Sequence, residues 1–67
     1  MLAVFLNGKE TVLPEFLTLA ELIEQLGFSG KRIAVEKNGE IVPKSRLAVT
    51  CLNSGDRLEI VVAVGGG

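Results

Sequence analysis

Residues 18–27 read TLAELIEQLG, and this stretch carries the clearest helical signal in the chain. Its apolar side chains recur at positions i, i+3, i+4 and i+7, which places them on one face of a helix. These are Leu19, Leu22, Ile23 and Leu26. The pattern predicts a helix over Thr18–Leu26 whose apolar face needs a partner surface.

The two ends of this helix are also marked in the sequence. Thr18 and Glu21 have the spacing of a capping box, in which each side chain bonds the backbone N–H of the other residue. Gly27 stands where a residue in the left-handed conformation ends a helix. We therefore expect the helix to start after Thr18 and to stop before Gly27.

A hairpin is predicted before the helix. Residues Leu2–Leu6 alternate between two faces, as in a strand. Asn7-Gly8 is a strong signal for a two-residue turn, because such turns need positive φ. Lys9–Leu13 is the predicted return strand, and Pro14, which has no amide donor, ends the pairing.

Three more strands are predicted after the helix. Arg32–Lys37 is followed by the turn Asn38-Gly39 and by a short return strand, Glu40–Val42, which Pro43 stops. The connection at residues 44–52 has no clear pattern. A turn cluster at residues 53–56 precedes the last strand, which starts at Arg57 and runs to about Val64.

One helix can cover only one face of a sheet, so that face must collect the inward residues of the strands. These are Leu2, Val4, Leu6, Ile33, Val35, Leu58, Ile60 and Val62. The element order predicts an α+β fold of the β-grasp (ubiquitin-like) type. It has a mixed sheet of four to five strands with one main helix on one face. We expect residues 1–64 to form this domain and residues 65–67 to form a flexible glycine tail.

Length and composition exclude several classes of function. A chain of 67 residues forms one small core and no large cleft between domains. The net charge is −1 and the only aromatic residues are three Phe, so we expect no nucleic-acid partner. No apolar run approaches the length of a membrane span, and no signal peptide is evident, so we expect no membrane association.

Catalytic and metal-binding side chains are scarce. The chain has no His and one Cys, which leaves no zinc set and no Cys–His pair and predicts a protein that is not itself an enzyme. Cys51 is interpreted as a small half-buried side chain, with a redox or thioester site as the alternative. A lone Cys in a small chain suits a reducing cytoplasm, which is the expected location.

The charged clusters have simple interpretations. Lys31-Arg32, Lys44 and Arg46 are expected to be solvated strand ends and loop residues, with an acidic partner surface as the alternative. Asp56 and Glu59 are assigned to turn chemistry and solubility.

The run Gly65-Gly66-Gly67 suggests a tail that another enzyme could bind in a narrow slot, because glycine has no Cβ. Together with Val64, these residues could extend about 13 Å beyond the sheet, at about 3.3 Å per residue. A carboxylate at Gly67 would need activation, for example as a mixed anhydride formed with ATP, before a sulfur nucleophile could take the acyl group. A frayed terminus or an expression artefact is the alternative.

Several motifs resemble one family from end to end. They are the Leu6–Gly8 turn, the Thr18–Leu22 helix start, the segment Ile33–Gly39, the segment Ile41–Arg46, and Ser54–Val61 continuing into Val64–Gly67. The chain is identified as similar to the sulfur carrier proteins of thiamin (thiazole) biosynthesis, which are ubiquitin-like proteins.

The resemblance implies a cycle run by partner enzymes. An E1-like adenylyltransferase would activate Gly67 with ATP and Mg²⁺, and a cysteine desulfurase relay would supply sulfur to form a thiocarboxylate. Thiazole synthase would then take the sulfur. Gly65 and Gly66 would thread the tail, and no cofactor or metal would be bound by the chain itself. The alternatives are a molybdopterin-synthase-type sulfur carrier and a ubiquitin-like modifier or interaction module.

The strand before the tail offers candidate docking contacts. Val61 and Ala63 lie on the side of that strand opposite its predicted core residues, and Val64 leads into the tail. We expect them to contact a partner, with packing within the sheet as the alternative.

Overall fold

The computed structural model describes residues 1–13 and 17–63. Within these residues, five strands and one α-helix follow one another in the predicted order. The strands are β1 (Leu2–Leu6), β2 (Lys9–Leu13), β3 (Ile33–Lys37), β4 (Glu40–Ile41) and β5 (Arg57–Val62), and α1 covers Leu19–Gln25. The predicted tail, the role of Pro14 and the extension of the last strand to Val64 lie outside the described residues.

The sheet has the order β2-β1-β5-β3-β4 and is mixed. β1 and β5 run parallel in its centre, and the other neighbours are antiparallel. With α1 packed on one face, this is the β-grasp fold that the sequence predicts. β5, the last strand, therefore lies in the middle of the sheet.

Both Asn-Gly hairpin turns are confirmed. Asn7 and Asn38 have φ of 51° and 53°, and the glycines that follow have φ of 81° and 85°. Positive φ at both central residues is the requirement of the type I′ turn, whose twist matches that of the flanking strands. In the first hairpin this fixes the register, with Leu2 opposite Leu13 and Leu6 opposite Lys9.

The helix caps are also confirmed. The Thr18 N–H donates to Glu21 Oε1 at 2.9 Å, and the Glu21 N–H donates to Thr18 Oγ1 at 3.2 Å. At the other end, Gly27 has φ of 80°, and the N–H of Phe28 donates to the Ile23 carbonyl at 3.0 Å. With the Gly27 N–H donating to Glu24, this is a Schellman motif. The caps hold a helix of only 7 residues in a fixed place.

The core lies between α1 and the inner face of the sheet. The predicted inward residues of β1, β3 and β5 are buried or half-buried there. The buried apolar side chains are Leu2, Val4, Leu13, Leu17, Leu19, Leu22, Ile23, Val35, Leu52, Leu58 and Ile60. Leu13, Leu17 and Leu52 extend this cluster beyond the predicted set.

The segment that had no clear pattern contains a 3-10 helix, Lys44–Val49, that packs against α1. The chain then runs beside the start of α1, where the Leu19 N–H donates to the Thr50 carbonyl at 2.9 Å and the Leu52 N–H donates to the Leu17 carbonyl at 3.0 Å. These bonds hold Leu52, which is 1% exposed, in the core. Residues 50–52 therefore act as a backbone clasp.

The clasp corrects one prediction. Cys51 is exposed rather than half-buried, because its neighbour Leu52 takes the inward position and the extended backbone turns Cys51 outward. Two predicted strand limits also shift slightly. β3 begins at Ile33 rather than Arg32, and β4 ends at Ile41 rather than Val42.

Candidate functional site

The candidate site is the end of β5, where the predicted tail begins. Ala63 is the last described residue. The predicted site residues Val64, Gly65, Gly66 and Gly67 follow it and lie outside the described residues. The Ala63 N–H donates to the Arg32 carbonyl at 2.8 Å, so backbone pairing with the β3 side of the sheet continues one residue past the end of β5. Ala63, which precedes the proposed tail in sequence, is thus held on the sheet.

β5 is anchored by the side chains of both hairpin asparagines. Asn7 Oδ1 accepts from the Ile60 N–H at 2.9 Å, and Asn7 Nδ2 donates to the Ile60 carbonyl at 3.2 Å. Asn38 Oδ1 accepts from the Arg57 N–H at 2.9 Å, and the Asn38 N–H donates to the Arg57 carbonyl at 2.7 Å. Each turn therefore holds one residue of the strand that leads to the tail.

Asp56 organises the turn that precedes β5. Its carboxylate accepts from Asn38 Nδ2 at 3.0 Å and from the Asn53 N–H at 2.8 Å, and Lys37 Nζ lies 3.7 Å away. Asp56 is 7% exposed, so the prediction of turn chemistry holds for this residue and the prediction of a solubility role is wrong. A buried carboxylate is retained here because several donors compensate its lost hydration.

The face of the sheet opposite α1 is open and partly apolar. Val61 is 60% exposed and lies directly opposite Ala34, while Phe5, two strands from Ala34, is 41% exposed. Ala63 is also exposed. The side chains of Val61 and Ala63 are accessible close to the start of the tail, and their contact with a partner stays a prediction.

Charged residues flank this apolar area. Glu36 and Glu59 are directly opposite each other on adjacent strands, and Arg57 is opposite Phe5. Like charges at directly opposed positions destabilise a sheet slightly. The open face (Phe5, Ala34, Val61 and Ala63, with Glu36, Arg57 and Glu59 around them) therefore combines exposed apolar area with charges that a partner can neutralise.

Residues 1–13 and 17–63 contain neither a metal-binding cluster nor a membrane-spanning helix. No group of three or more His, Cys, Asp or Glu side chains is placed to hold a metal ion there. No helix in the same part of the chain has the length and apolar character needed to cross a membrane.

Comparison with known proteins identifies the family. The model of the ThiS family matches residues 3–67, which is nearly the whole chain. The chain belongs to the ThiS family.

A solved structure supports the same assignment. The ThiS thiamine biosynthesis protein from Geobacter metallireducens superimposes with a TM-score of 0.83 at 29% sequence identity, over 98% of this chain and 100% of that one. This chain therefore shares the β-grasp fold of a ThiS protein.

Curated relatives include larger and similar-sized proteins. A thiazole synthase from Paramagnetospirillum magneticum is 45% identical over 62 residues, and one from Magnetococcus marinus is 33% identical over 64 residues. The chain spans about a fifth of the length of these two proteins, 19% and 20% respectively, while 92% and 96% of the chain is matched. An uncharacterised protein, ycf40, from Porphyra purpurea is 35% identical over 66 residues, and the match spans 98% of this chain and 93% of that protein.

Sequence reasoning identified Val61 and Ala63 as outward-facing residues near the end of β5 but missed how β5 is held. The two Asn-Gly pairs were identified as turns only. Their side-chain bonds to β5 join residues 53 and 19 positions apart, which no local pattern contains. The alternation of β1 already placed Phe5 on the face opposite the core, so its exposure on the open face was available from the sequence.

Proposed function

We propose that this protein is a sulfur carrier for thiazole formation in thiamin biosynthesis. The observation that carries the proposal is the ThiS family match over residues 3–67. The structural similarity to a thiamine biosynthesis protein over 98% of the chain supports it. In this proposal the protein acts in the cytoplasm as a co-substrate of other enzymes and is not an enzyme itself.

The reacting group in this proposal is the carboxylate of Gly67. It is ionised at neutral pH and a poor acyl donor. An E1-like adenylyltransferase joins it to AMP from ATP and Mg²⁺, with loss of pyrophosphate. The terminal sulfur of a persulfide supplied through a cysteine desulfurase then attacks the carbonyl carbon and expels AMP, which gives an acyl disulfide. A thiol reductant cleaves the S–S bond of this acyl disulfide, is itself oxidised to a disulfide, and leaves the thiocarboxylate on Gly67.

The rest of the chain presents this group and supplies no catalytic side chain. Gly65 and Gly66 form the narrow lead, because residues without Cβ pass where others cannot. β5 supplies a fixed base for the lead through its bonds to Asn7 and Asn38. ATP and Mg²⁺ belong to the adenylating partner, and no cofactor is bound by the chain.

Thiazole synthase is the proposed acceptor of the sulfur. Two proteins named thiazole synthase contain a region similar to more than nine-tenths of this chain. A carrier-like region within the same polypeptide as the synthase fits a carrier that works beside that enzyme. This supports thiazole synthase over molybdopterin synthase as the partner.

The open face is the proposed docking surface for the enzymes that accept the tail. Val61 and Ala63 lie on it close to the start of the tail, and Val64 continues in sequence from Ala63. Docking there covers exposed apolar area and leaves the tail free to reach a catalytic centre about 13 Å away, at about 3.3 Å per residue.

The proposal is tested by reconstitution. The chain is incubated with the adenylyltransferase, ATP, Mg²⁺, a cysteine desulfurase, cysteine and a thiol reductant, and its intact mass is measured before and after addition of thiazole synthase with its substrates. We expect the chain to gain one sulfur in place of one oxygen and to return to its original mass when thiazole synthase turns over.

The controls separate the alternatives. A chain lacking Gly66 and Gly67 should stay unloaded. Loading without consumption by thiazole synthase would favour the molybdopterin branch. Attachment of the whole chain to lysines of other proteins would support a modifier instead.

A further inference from the structure

A groove of about 290 Å³ lies between α1 and β3, on the side of the sheet away from the open face. The larger apolar side chains that line it are Ile23, Phe28, Ile33, Val35, Val42 and Leu47. Four of these, Phe28, Ile33, Val42 and Leu47, pack against the core but remain partly exposed. The groove therefore lies at the edge of the core, where apolar side chains are partly exposed to solvent.

The charged residues that line the groove are all cations. Lys31 and Arg32 lie at its β3 end, and Lys44 comes from the start of the 3-10 helix. All three are exposed. Within residues 1–13 and 17–63, none of them lies within ion-pair distance of a carboxylate, since the ion pair present there is Lys37–Asp56. The basic pair Lys31-Arg32 and the single Lys44, which are separate in sequence, thus lie around one apolar depression in a chain of net charge −1.

The backbone of β3 is open beside this groove. The Ala63 N–H bonds the Arg32 carbonyl, so alternate residues starting at Arg32 point their backbone groups toward β5. The backbone N–H and C=O groups of the residues in between therefore point to the other edge of β3, where β4 lies. These residues are Ile33, Val35 and Lys37. β4 pairs with that edge only at its far end, and the last bond runs from the Val42 N–H to the Val35 carbonyl.

Ile33 is the next residue toward the start of β3 whose backbone groups face this edge, and it lies beyond the last bond to β4. Among the described residues, no backbone group bonds the N–H or C=O of Ile33 on this side. Pro43 follows Val42 and turns the chain away into the 3-10 helix. The sheet therefore has a short free edge next to an apolar groove with a cationic rim, and such edges accept an added strand.

We propose that this edge and groove bind an extended acidic segment of a partner protein, which continues the line of β4 along β3. Its backbone bonds Ile33, one apolar side chain fills the groove, and neighbouring carboxylates meet Lys31, Arg32 and Lys44. The volume is at the lower limit of small-molecule pockets, about 300 Å³, and suits one or two side chains better than a whole cofactor.

The test uses the full chain labelled with ¹⁵N and two synthetic heptapeptides. The first alternates glutamate with valine and isoleucine, and the second has lysine in place of each glutamate. Amide shifts are followed during titration, together with hydrogen exchange at the Ile33 amide. We expect the acidic peptide to shift Ile33 and Val35, to slow exchange at Ile33, and to leave Phe5 and Val61 on the open face unchanged. The lysine peptide should do none of this.

Charge-reversal variants locate the contact. The double variant Lys31→Glu/Arg32→Glu should weaken binding of the acidic peptide about tenfold or more, because attraction is replaced by repulsion. Lys9→Glu, an exposed cation on β2 away from the groove, is the control and should bind within about twofold of the parent. Thermal melts confirm that all variants fold.

Three outcomes would overturn the proposal. The first is absence of shift changes at Ile33 and Val35 with the acidic peptide. The second is equal weakening by Lys9→Glu and by the double variant, which would mean attraction without a defined site. The third is a concentration-dependent shift of Ile33 in the protein alone, which would assign the edge to a second copy of the chain.

Discussion

The side chain of Asn7 pairs with both backbone groups of Ile60, a residue 53 positions away. Asn7 occupies the first hairpin turn with φ of 51°, and Ile60 lies within β5. β1 ends at Leu6, and the side-chain amide of Asn7 takes the place of the two backbone hydrogen bonds that a longer β1 would make to Ile60. This arrangement holds the strand that leads to the proposed tail.

Replacing Asn7 by Gly should destabilise the protein by about 1–3 kcal/mol, because the Ile60 N–H and C=O lose their partners. Gly tolerates the positive φ, so the change reports on the side-chain bonds rather than on backbone strain. Urea unfolding measures the loss, and hydrogen exchange at the Ile60 amide should become faster. Asn7→Asp keeps the acceptor for the Ile60 N–H and should fall between Gly and the parent. Unchanged stability of Asn7→Gly would show that these bonds contribute nothing.

Asp56→Ala should cost about 2–4 kcal/mol, because the Asn53 N–H and Asn38 Nδ2 would both lose an acceptor in a buried place. Lys37→Met is the matched test of the ion pair. Its Nζ lies 3.7 Å from the carboxylate and the side chain is 23% exposed, so we expect a cost below about 1 kcal/mol. Chemical denaturation of both variants compares the two contributions. A larger loss for Lys37→Met than for Asp56→Ala would mean that charge pairing, not hydrogen bonding, holds this turn.

Thr18→Ala should destabilise the protein by about 1 kcal/mol through loss of the capping box. The Glu21 N–H loses its acceptor, and the 7-residue helix is too short to be stable alone. Thr18→Ser keeps the hydroxyl and should stay close to the parent. Equal midpoints of thermal unfolding for the Ala and Ser variants would contradict the role of the cap.

Cys51→Ser should change the free energy of unfolding by less than about 0.5 kcal/mol, because the side chain is exposed. Sulfur loading should also be unchanged, since the proposed acceptor atom is on Gly67. Loss of loading in this variant, with the fold intact, would support the alternative in which the thiol takes part.

The sequence predicted the elements whose signals are local. The capping box of Thr18 and Glu21, the left-handed Gly27 and the two Asn-Gly turns each depend on a few consecutive residues, and all are confirmed. The 3-10 helix Lys44–Val49 was not predicted, because it has only 6 residues and none of them is buried, so its sequence carries no repeating apolar pattern. The exposure of Cys51 and the burial of Asp56 depend on pairing with distant segments, which one sequence does not reveal.

The exposed residues of β5 and Ala63 in the candidate site could also be predicted from a local pattern. Alternation along β5 placed Val61 and Ala63 on the face opposite the core, and both side chains are exposed. The cationic groove could not be predicted, because Lys31 and Lys44 come together only after β3, β4 and the 3-10 helix have packed.

Deleting Gly66 and Gly67 should abolish sulfur loading and change the melting temperature by less than about 2 °C, because every buried core residue found within residues 1–13 and 17–63 precedes residue 61. Intact mass after reconstitution and a thermal melt measure the two effects. Equal loading of the shortened chain would show that another group carries the sulfur.

The most direct measurement is the position of the sulfur in the loaded protein, found by fragmentation in a mass spectrometer. A thiocarboxylate on Gly67 adds about 16 mass units to fragments that contain Gly67, whereas a persulfide on Cys51 adds about 32 to fragments that contain that thiol. We predict the first result. The second, with an unmodified Gly67, would contradict the proposal that this fold exists to present a reactive carboxyl group.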